Sequence, residues 1–166
     1  MKTIYIVRHA KSSWEFDWLD DIERPLNQRG KRDAPRMAAH LATLDFRPEI
    51  ILSSPATRAY TTARIVSRGL GCDPGQILLV EELYAAMTGE MIDICGRIDD
   101  DVVCAMVFGH NPTITSTANR LGSIAIPNVP TAGLVLVEFE GPNWRSALET
   151  GGTLVRFDVP KGLVKG

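Results

Sequence analysis

The run Thr3-Ile4-Tyr5-Ile6-Val7 passes directly into Arg8-His9-Ala10-Lys11, and no other stretch narrows the possible folds as much. A segment so rich in Ile, Val and Tyr reads as a strand buried on both faces, the kind found inside a parallel sheet. Open α/β sheets bind their ligands beyond the carboxyl ends of the strands. Arg8 and His9 would stand there.

The same alternation continues down the chain. A loop with acidic and aromatic residues, Lys11 to Glu23, leads through Arg24-Pro25-Leu26 to Asn27, a helix N-cap by type. Ala34, Met37, Ala38, Leu41 and Leu44 then recur at helical spacing, with Pro35 inside the pattern predicting a kink or a late start. His40 flanks that stripe as an edge or surface residue. Ile50-Ile51-Leu52 predicts a second strand, with Ser54 as cap and Pro55 in the first turn of the helix that follows. That helix shows Ala56, Ala59, Tyr60, Ala63, Val66 and Leu70 on one face and ends at Gly69 or Gly71. Ile77 to Val80 is a third strand, Met91, Ile94, Cys95 and Ile98 mark a short helix, and Asp99-Asp100-Asp101 is a solvated turn. Val102 to Phe108, the longest apolar run, is the candidate central strand and ends in Gly109-His110-Asn111-Pro112. A helix over Ile114, Ala118 and Leu121 follows, then the link Ile126 to Pro130. Leu134–Phe139 and Thr153–Phe157 read as two strands without a helix between them, hence an antiparallel pair. The order βαβαβαβαββ predicts an α/β fold: a three-layer α/β/α sandwich whose mostly parallel sheet carries an antiparallel C-terminal element. At 166 residues the expectation is a single domain, 1–166.

Charge and composition exclude some functions. With 18 Lys and Arg against 20 Asp and Glu, the formal charge of -2 speaks against nucleic acid or an anionic membrane as partner, while leaving room for a local anion site. Three cysteines without a C-x-x-C pair fit a reduced interior, and Cys104 reads as a core residue. The first residues show neither the apolar core nor the cleavage region of a signal peptide, and no apolar stretch approaches the ~20 residues of a membrane span. The expected location is cytoplasmic.

Arg8 and His9 follow the first strand, Arg58 lies one turn into the helix after the second, and His110 follows the central strand. If these strands are parallel neighbours, two guanidiniums and two imidazoles meet at one sheet edge. Arginine forks match phosphoryl oxygens and stay charged at any working pH, and helix N-termini add N–H donors. The two histidines could instead ligate a metal, but adjacent arginines repel a divalent cation and no third ligand lies close in sequence. No metal and no cofactor are therefore expected.

Val7-Arg8-His9-Ala10-Lys11-Ser12 resembles the R-H-G signature of the histidine phosphatase (phosphoglycerate mutase-like) superfamily, in the form of its short bacterial phosphohistidine phosphatase branch. The resemblance extends through Arg24-Pro25-Leu26-Asn27-Gln28-Arg29-Gly30, Ser53 to Ala63, and Gly109-His110-Asn111-Pro112, in the family's order. It implies that His9 is a nucleophile, transiently phosphorylated, and that Arg8, Arg58 and His110 bind the transferred group. Two departures stand out. Ala10 replaces the glycine, and Asn111 occupies a position where one branch carries an acidic proton donor. Glu82 falls near the position of the other branch's acid, and is either that general acid or a surface carboxylate. Lys11 either adds charge at the rim or is solvated. Trp14 and Trp18 either form a docking face or cover the core, with core cover expected for one of them. A weak or missing acid suits phosphohistidine, whose P–N bond is labile once the ring is protonated, whereas an alkoxide leaving group needs a proton. The expected function is thus a phosphatase acting on a phosphorylated protein, such as a histidine phosphotransfer domain. The alternatives are a small-phosphoester phosphomonoesterase using Glu82 and a non-catalytic phosphate-binding module.

Overall fold

A computed structural model of the protein describes residues 1–163; the last three positions of the expected 1–166 domain lie outside the described residues. The elements run β1 (Lys2–Arg8), α1 (Gln28–Ala42), β2 (Ile50–Ser53), α2 (Thr57–Gly69), β3 (Ile77–Leu79), α3 (Thr88–Cys95), β4 (Cys104–Gly109), α4 (Thr113–Gly122), β5 (Leu134–Phe139), α5 (Trp144–Thr150) and β6 (Thr153–Asp158). The six strands form one sheet in the order β3-β2-β4-β1-β5-β6. The pairs β3–β2, β2–β4 and β4–β1 are parallel, and β5 is antiparallel to both its neighbours. The mostly parallel α/β sheet with an antiparallel C-terminal part is therefore present as expected.

The pleat of β1 explains the layers. Ile4 and Ile6 point to one face, where they pack with Met91, Ile94, Ile114, Ala118, Trp144 and Leu148 from α3, α4 and α5. Tyr5 and Val7 point to the other, against Met37, Leu41, Ala63 and Val66 of α1 and α2. Fully burying one such side chain contributes about 1.5–3 kcal/mol. With both faces filled, this sheet needs the continuous apolar runs seen in β1 and β4.

Local departures from the sequence reading have physical causes. A helix, α5, occupies the connection between β5 and β6: Asn143 caps it by accepting from Ser146 N–H at 2.9 Å, and Trp144, Ala147 and Leu148 are buried. At seven residues it is too short to display a period, yet β5 and β6 still pair antiparallel across it. Helix α1 starts at Gln28 under the Asn27 cap and continues through Pro35 instead of starting late. Helix α2 starts only at Thr57, so Pro55 precedes it and Ser54 does not cap its first turn. Trp14 and Trp18 are both 74% exposed, so neither covers the core. Among the described residues no helix is long and apolar enough to cross a membrane.

Candidate active site

Strand register brings the functional ends together. Arg8 pairs with Gly109 across β1 and β4, and Ser53 pairs with Phe108 across β2 and β4. Three neighbouring parallel strands thus end level, and the residues after them share one edge. His9 N–H donates to the Gly109 carbonyl at 3.2 Å, and Ser54 N–H to the Phe108 carbonyl at 3.1 Å. The turn ahead of β5 clamps the other side of β1. Arg8 N–H reaches the Gly133 carbonyl at 3.0 Å, and Ala132 N–H reaches the His9 carbonyl at 3.0 Å.

This edge gathers Arg8, His9, Arg58 and His110, with the two imidazole centroids 5.1 Å apart. His9 is buried, and its Nδ1 lies 2.7 Å from the Ala10 carbonyl. A carbonyl only accepts, so the proton sits on Nδ1 and the lone pair on Nε2. Burial chiefly, then the nearby His110, Arg58 and Arg8, depresses the His9 pKa to about 3, against the opposing pull of the Ala10 bond. His110 is likewise held down to about 4, first by burial and then by Arg58. Both rings are neutral at pH 7. His110 Nε2 lies 2.8 Å from Ser54 Oγ, and that oxygen accepts from Ala56 N–H at 3.2 Å. A hydroxyl that has accepted there still has its proton to give; donated to Nε2, it leaves the imidazole proton on Nδ1.

Secondary contacts fix the arginines. Arg8 donates through Nη1 to the Val129 carbonyl at 3.0 Å, a carbonyl also held by Asn111 Nδ2 at 3.1 Å. Asn111 therefore ties the Ile126–Pro130 link to the site, and its Oδ1 accepts from Thr115 N–H at 3.2 Å in α4. Thr62 Oγ1 accepts from Ala10 N–H at 3.0 Å and donates to the Arg58 carbonyl at 2.7 Å, locking the start of α2 onto the segment after β1. Arg58, buried in the first turn of α2, donates through Nη1 to the Asp21 carbonyl at 2.7 Å and through Nη2 to Asp21 Oδ2 at 3.0 Å.

Three contributors join the site beyond the residues the sequence singled out: Asp21, Arg24 and Tyr84. Asp21, on a 3-10 turn (Asp21–Glu23), accepts from Arg58, from the Tyr84 hydroxyl and, at 3.0 Å on Oδ1, from Arg24 Nε. The Tyr84 bond above all, then Arg24 and Arg58, holds its carboxyl down to about 2. Buried Arg24 also donates to Ser12 Oγ at 2.8 Å, and its guanidinium lies 3.6 Å from the centre of the Trp14 ring. Tyr84 stands edge-on to His110, ring centroids 5.7 Å apart. Arg24 lies inside the Arg24-Pro25-Leu26-Asn27 block, which is its signal in the sequence; Asp21 and Tyr84 have none beyond their neighbourhood. Glu82 sits on the same 3-10 turn as Tyr84 (Glu81–Tyr84), but its exposed carboxylate lies 3.9 Å from Arg97. Lys11 is half-buried, and its carbonyl accepts from Asn27 N–H at 3.0 Å, at the start of α1.

The model of the histidine phosphatase superfamily (branch 1) matches residues 4–92, more than half of the chain. The chain belongs to that superfamily. An uncharacterized protein of Mycobacterium tuberculosis is 32% identical over 165 residues, covering 93% of this chain and 100% of the other. A chloroplastic protein of Arabidopsis thaliana, also uncharacterized, is 30% identical over 159 residues, 91% of this histidine phosphatase and 72% of its relative. Among solved structures, a candidate phosphohistidine phosphatase SixA from Agrobacterium tumefaciens superposes with a TM-score of 0.80 at 27% identity, covering 96% of this chain and 98% of that one. The protein histidine phosphatase SixA complexed with tungstate gives a TM-score of 0.81 at 22% identity over 96% and 97% of the two chains, a likeness of fold.

Proposed function

We propose that this histidine phosphatase hydrolyses phosphohistidine on a partner protein, through a phosphoryl group carried transiently on His9. One observation carries the reading. Among the described residues, four buried side-chain nitrogen and oxygen atoms lack a protein partner, and three of these are Arg8 Nε, Arg58 Nε and His110 Nδ1. Buried donors are ordinarily paired, and three orphans in one cluster fit the oxygens of a phosphoryl group. His9 Nε2 is the nucleophile, since its neutral ring keeps a lone pair there at neutral pH. Arg8, Arg58 and His110 stabilise the charge on the equatorial oxygens, which is most of what phosphoryl transfer requires of a protein. Positive charge comes from side chains, so the reaction needs no metal. Lys11 adds charge at the rim, residues 1–166 act as one domain, and the expected location is cytoplasmic.

The site offers no secure proton donor: Asn111 is committed to the Val129 carbonyl, and Glu82 is exposed beside Arg97. This supports a leaving group that departs without help. It also frames the second reading, a small-molecule phosphomonoesterase with Glu82 as acid. Acid-quenched reactions with a labelled phosphohistidine protein and, in parallel, an alkyl phosphate test both. Label should appear on His9 and vanish in His9→Ala. Efficient turnover of the alkyl phosphate with phosphohistidine left intact would overturn the substrate assignment, and a large loss in Glu82→Gln confined to the alkyl phosphate would favour the second reading.

A further inference from the structure

Asp21 is the carboxylate that ties Arg58, Arg24 and Tyr84 together beside the site. Its side chain is 49% exposed, while the Arg58 and Arg24 side chains that it pairs with are 7% and 10% exposed. The arginines form the floor, and Asp21 stands between them and solvent. A carboxylate has about four lone-pair positions. Here Oδ2 accepts from Arg58 Nη2 and the Tyr84 hydroxyl, and Oδ1 accepts from Arg24 Nε alone, so Oδ1 retains an acceptor position. Three donors also hold the group ionised far below neutrality, which disqualifies it as a proton donor.

Resting on the function proposed above, we infer that Asp21 selects the substrate by accepting a hydrogen bond from the N–H of a protonated phosphoimidazole, the cationic form of phosphohistidine. The step balances without moving a proton. His9 Nε2 donates its electron pair to phosphorus as the P–N bond of the substrate breaks. That bond's electrons return to the leaving ring, which already bears a proton on its other nitrogen and so departs as neutral imidazole. His9 becomes the N-phosphorylated imidazolium, with its Nδ1–H held by the Ala10 carbonyl 2.7 Å away. The two rings exchange roles: before transfer a carboxylate steadies the cationic ring, and after it a backbone carbonyl does. A phosphate ester gains nothing from Asp21, because its departing oxygen builds negative charge toward a fixed anion.

The test compares kcat/KM for a phosphohistidine peptide and for 4-nitrophenyl phosphate, whose leaving group needs no proton, in the wild type and in Asp21→Asn. A charge-assisted hydrogen bond lost from the reacting complex corresponds to roughly 10- to 100-fold. The expected result is a drop of that size for the peptide and a much smaller one for the aryl ester. The alkaline limb of the peptide's pH profile should also move to lower pH in Asp21→Asn, because without the carboxylate the ring keeps its proton only in more acidic solution. Asp21→Glu, which keeps the charge, should restore part of the ratio. Equal losses for both substrates would reduce Asp21 to a support for Arg58 and overturn the inference, as would a loss confined to the ester. A wild type inactive on the phosphohistidine peptide but active on phosphate esters would instead sink the proposed function itself, before any variant is made.

Discussion

Lowering the pH from 7 to 5 should strip stability from this fold through two residues, His9 and His110. In the unfolded chain an imidazole titrates near 6.5, whereas burial holds the folded values at about 3 and about 4. Below pH 6.5 the unfolded chain therefore takes up protons that the folded one refuses, and stability falls as acid is added. Each group costs about 1.4 kcal/mol per pH unit in that window. Between pH 7 and 5 the pair should cost about 3–4 kcal/mol, against a total of about 5–15 kcal/mol for an ordinary domain. Carboxylates with lowered values, such as Asp21 and Asp158, lose their stabilisation only below the ordinary carboxylate range, so they hardly contribute at pH 5. Urea unfolding at both pH values, for the wild type and for the double variant His9→Asn, His110→Asn, isolates the effect. Asn can still donate to the Ala10 carbonyl but cannot titrate, so most of the pH dependence should disappear. A double variant as acid-sensitive as the wild type would refute the reasoning.

Two further outcomes follow from the same geometry. Vanadate or phosphate should raise the melting temperature, by an amount equivalent to about 2.7 kcal/mol at one hundred times the dissociation constant; calorimetry should find this lost in Arg58→Gln and unchanged by chelators, and stabilisation that survives in Arg58→Gln would place the anion elsewhere. Gly30→Ala should destabilise although alanine is the better helix former by about 1 kcal/mol, because its Cβ would sit 2.2 Å from the Lys11 carbonyl oxygen and 3.0 Å from the Lys11 nitrogen. Overpacking against backbone costs about 1–3 kcal/mol. A raised urea midpoint in that variant would contradict the close approach.

Much of the site could be read from the sequence because β1 and β4 are apolar runs stopped abruptly by charged or imidazole residues. A buried parallel strand cannot continue through Arg8-His9 or Gly109-His110, so the punctuation marks the sheet edge. Arg58 was legible through its place one turn beyond a strand end. Asp21 and Tyr84 were not. Each comes from a 3-10 turn without periodicity, and they meet across 63 positions of sequence, a contact that only the folded chain creates. Trp14 and Trp18 misled for a related reason. Large aromatics favour burial, but these lie among Glu15, Asp17, Asp20 and Asp21 on a loop that leaves both rings exposed. Helix α5 leaves no period in the sequence because two turns carry too few apolar positions to set a phase.

The three tryptophans divide cleanly between two environments. Trp144 is fully buried with its indole N–H on the Val102 carbonyl, while Trp14 and Trp18 stand in water, and the Trp14 ring lies against the guanidinium that grips Asp21. The molecule thus has a built-in optical gauge: blue emission from the sealed indole reports the fold, and red emission from Trp14, against Arg24, reports the site. An occupant that draws Arg24 away from its indole changes the second colour and spares the first, so occupancy and unfolding are separable in one unlabelled spectrum.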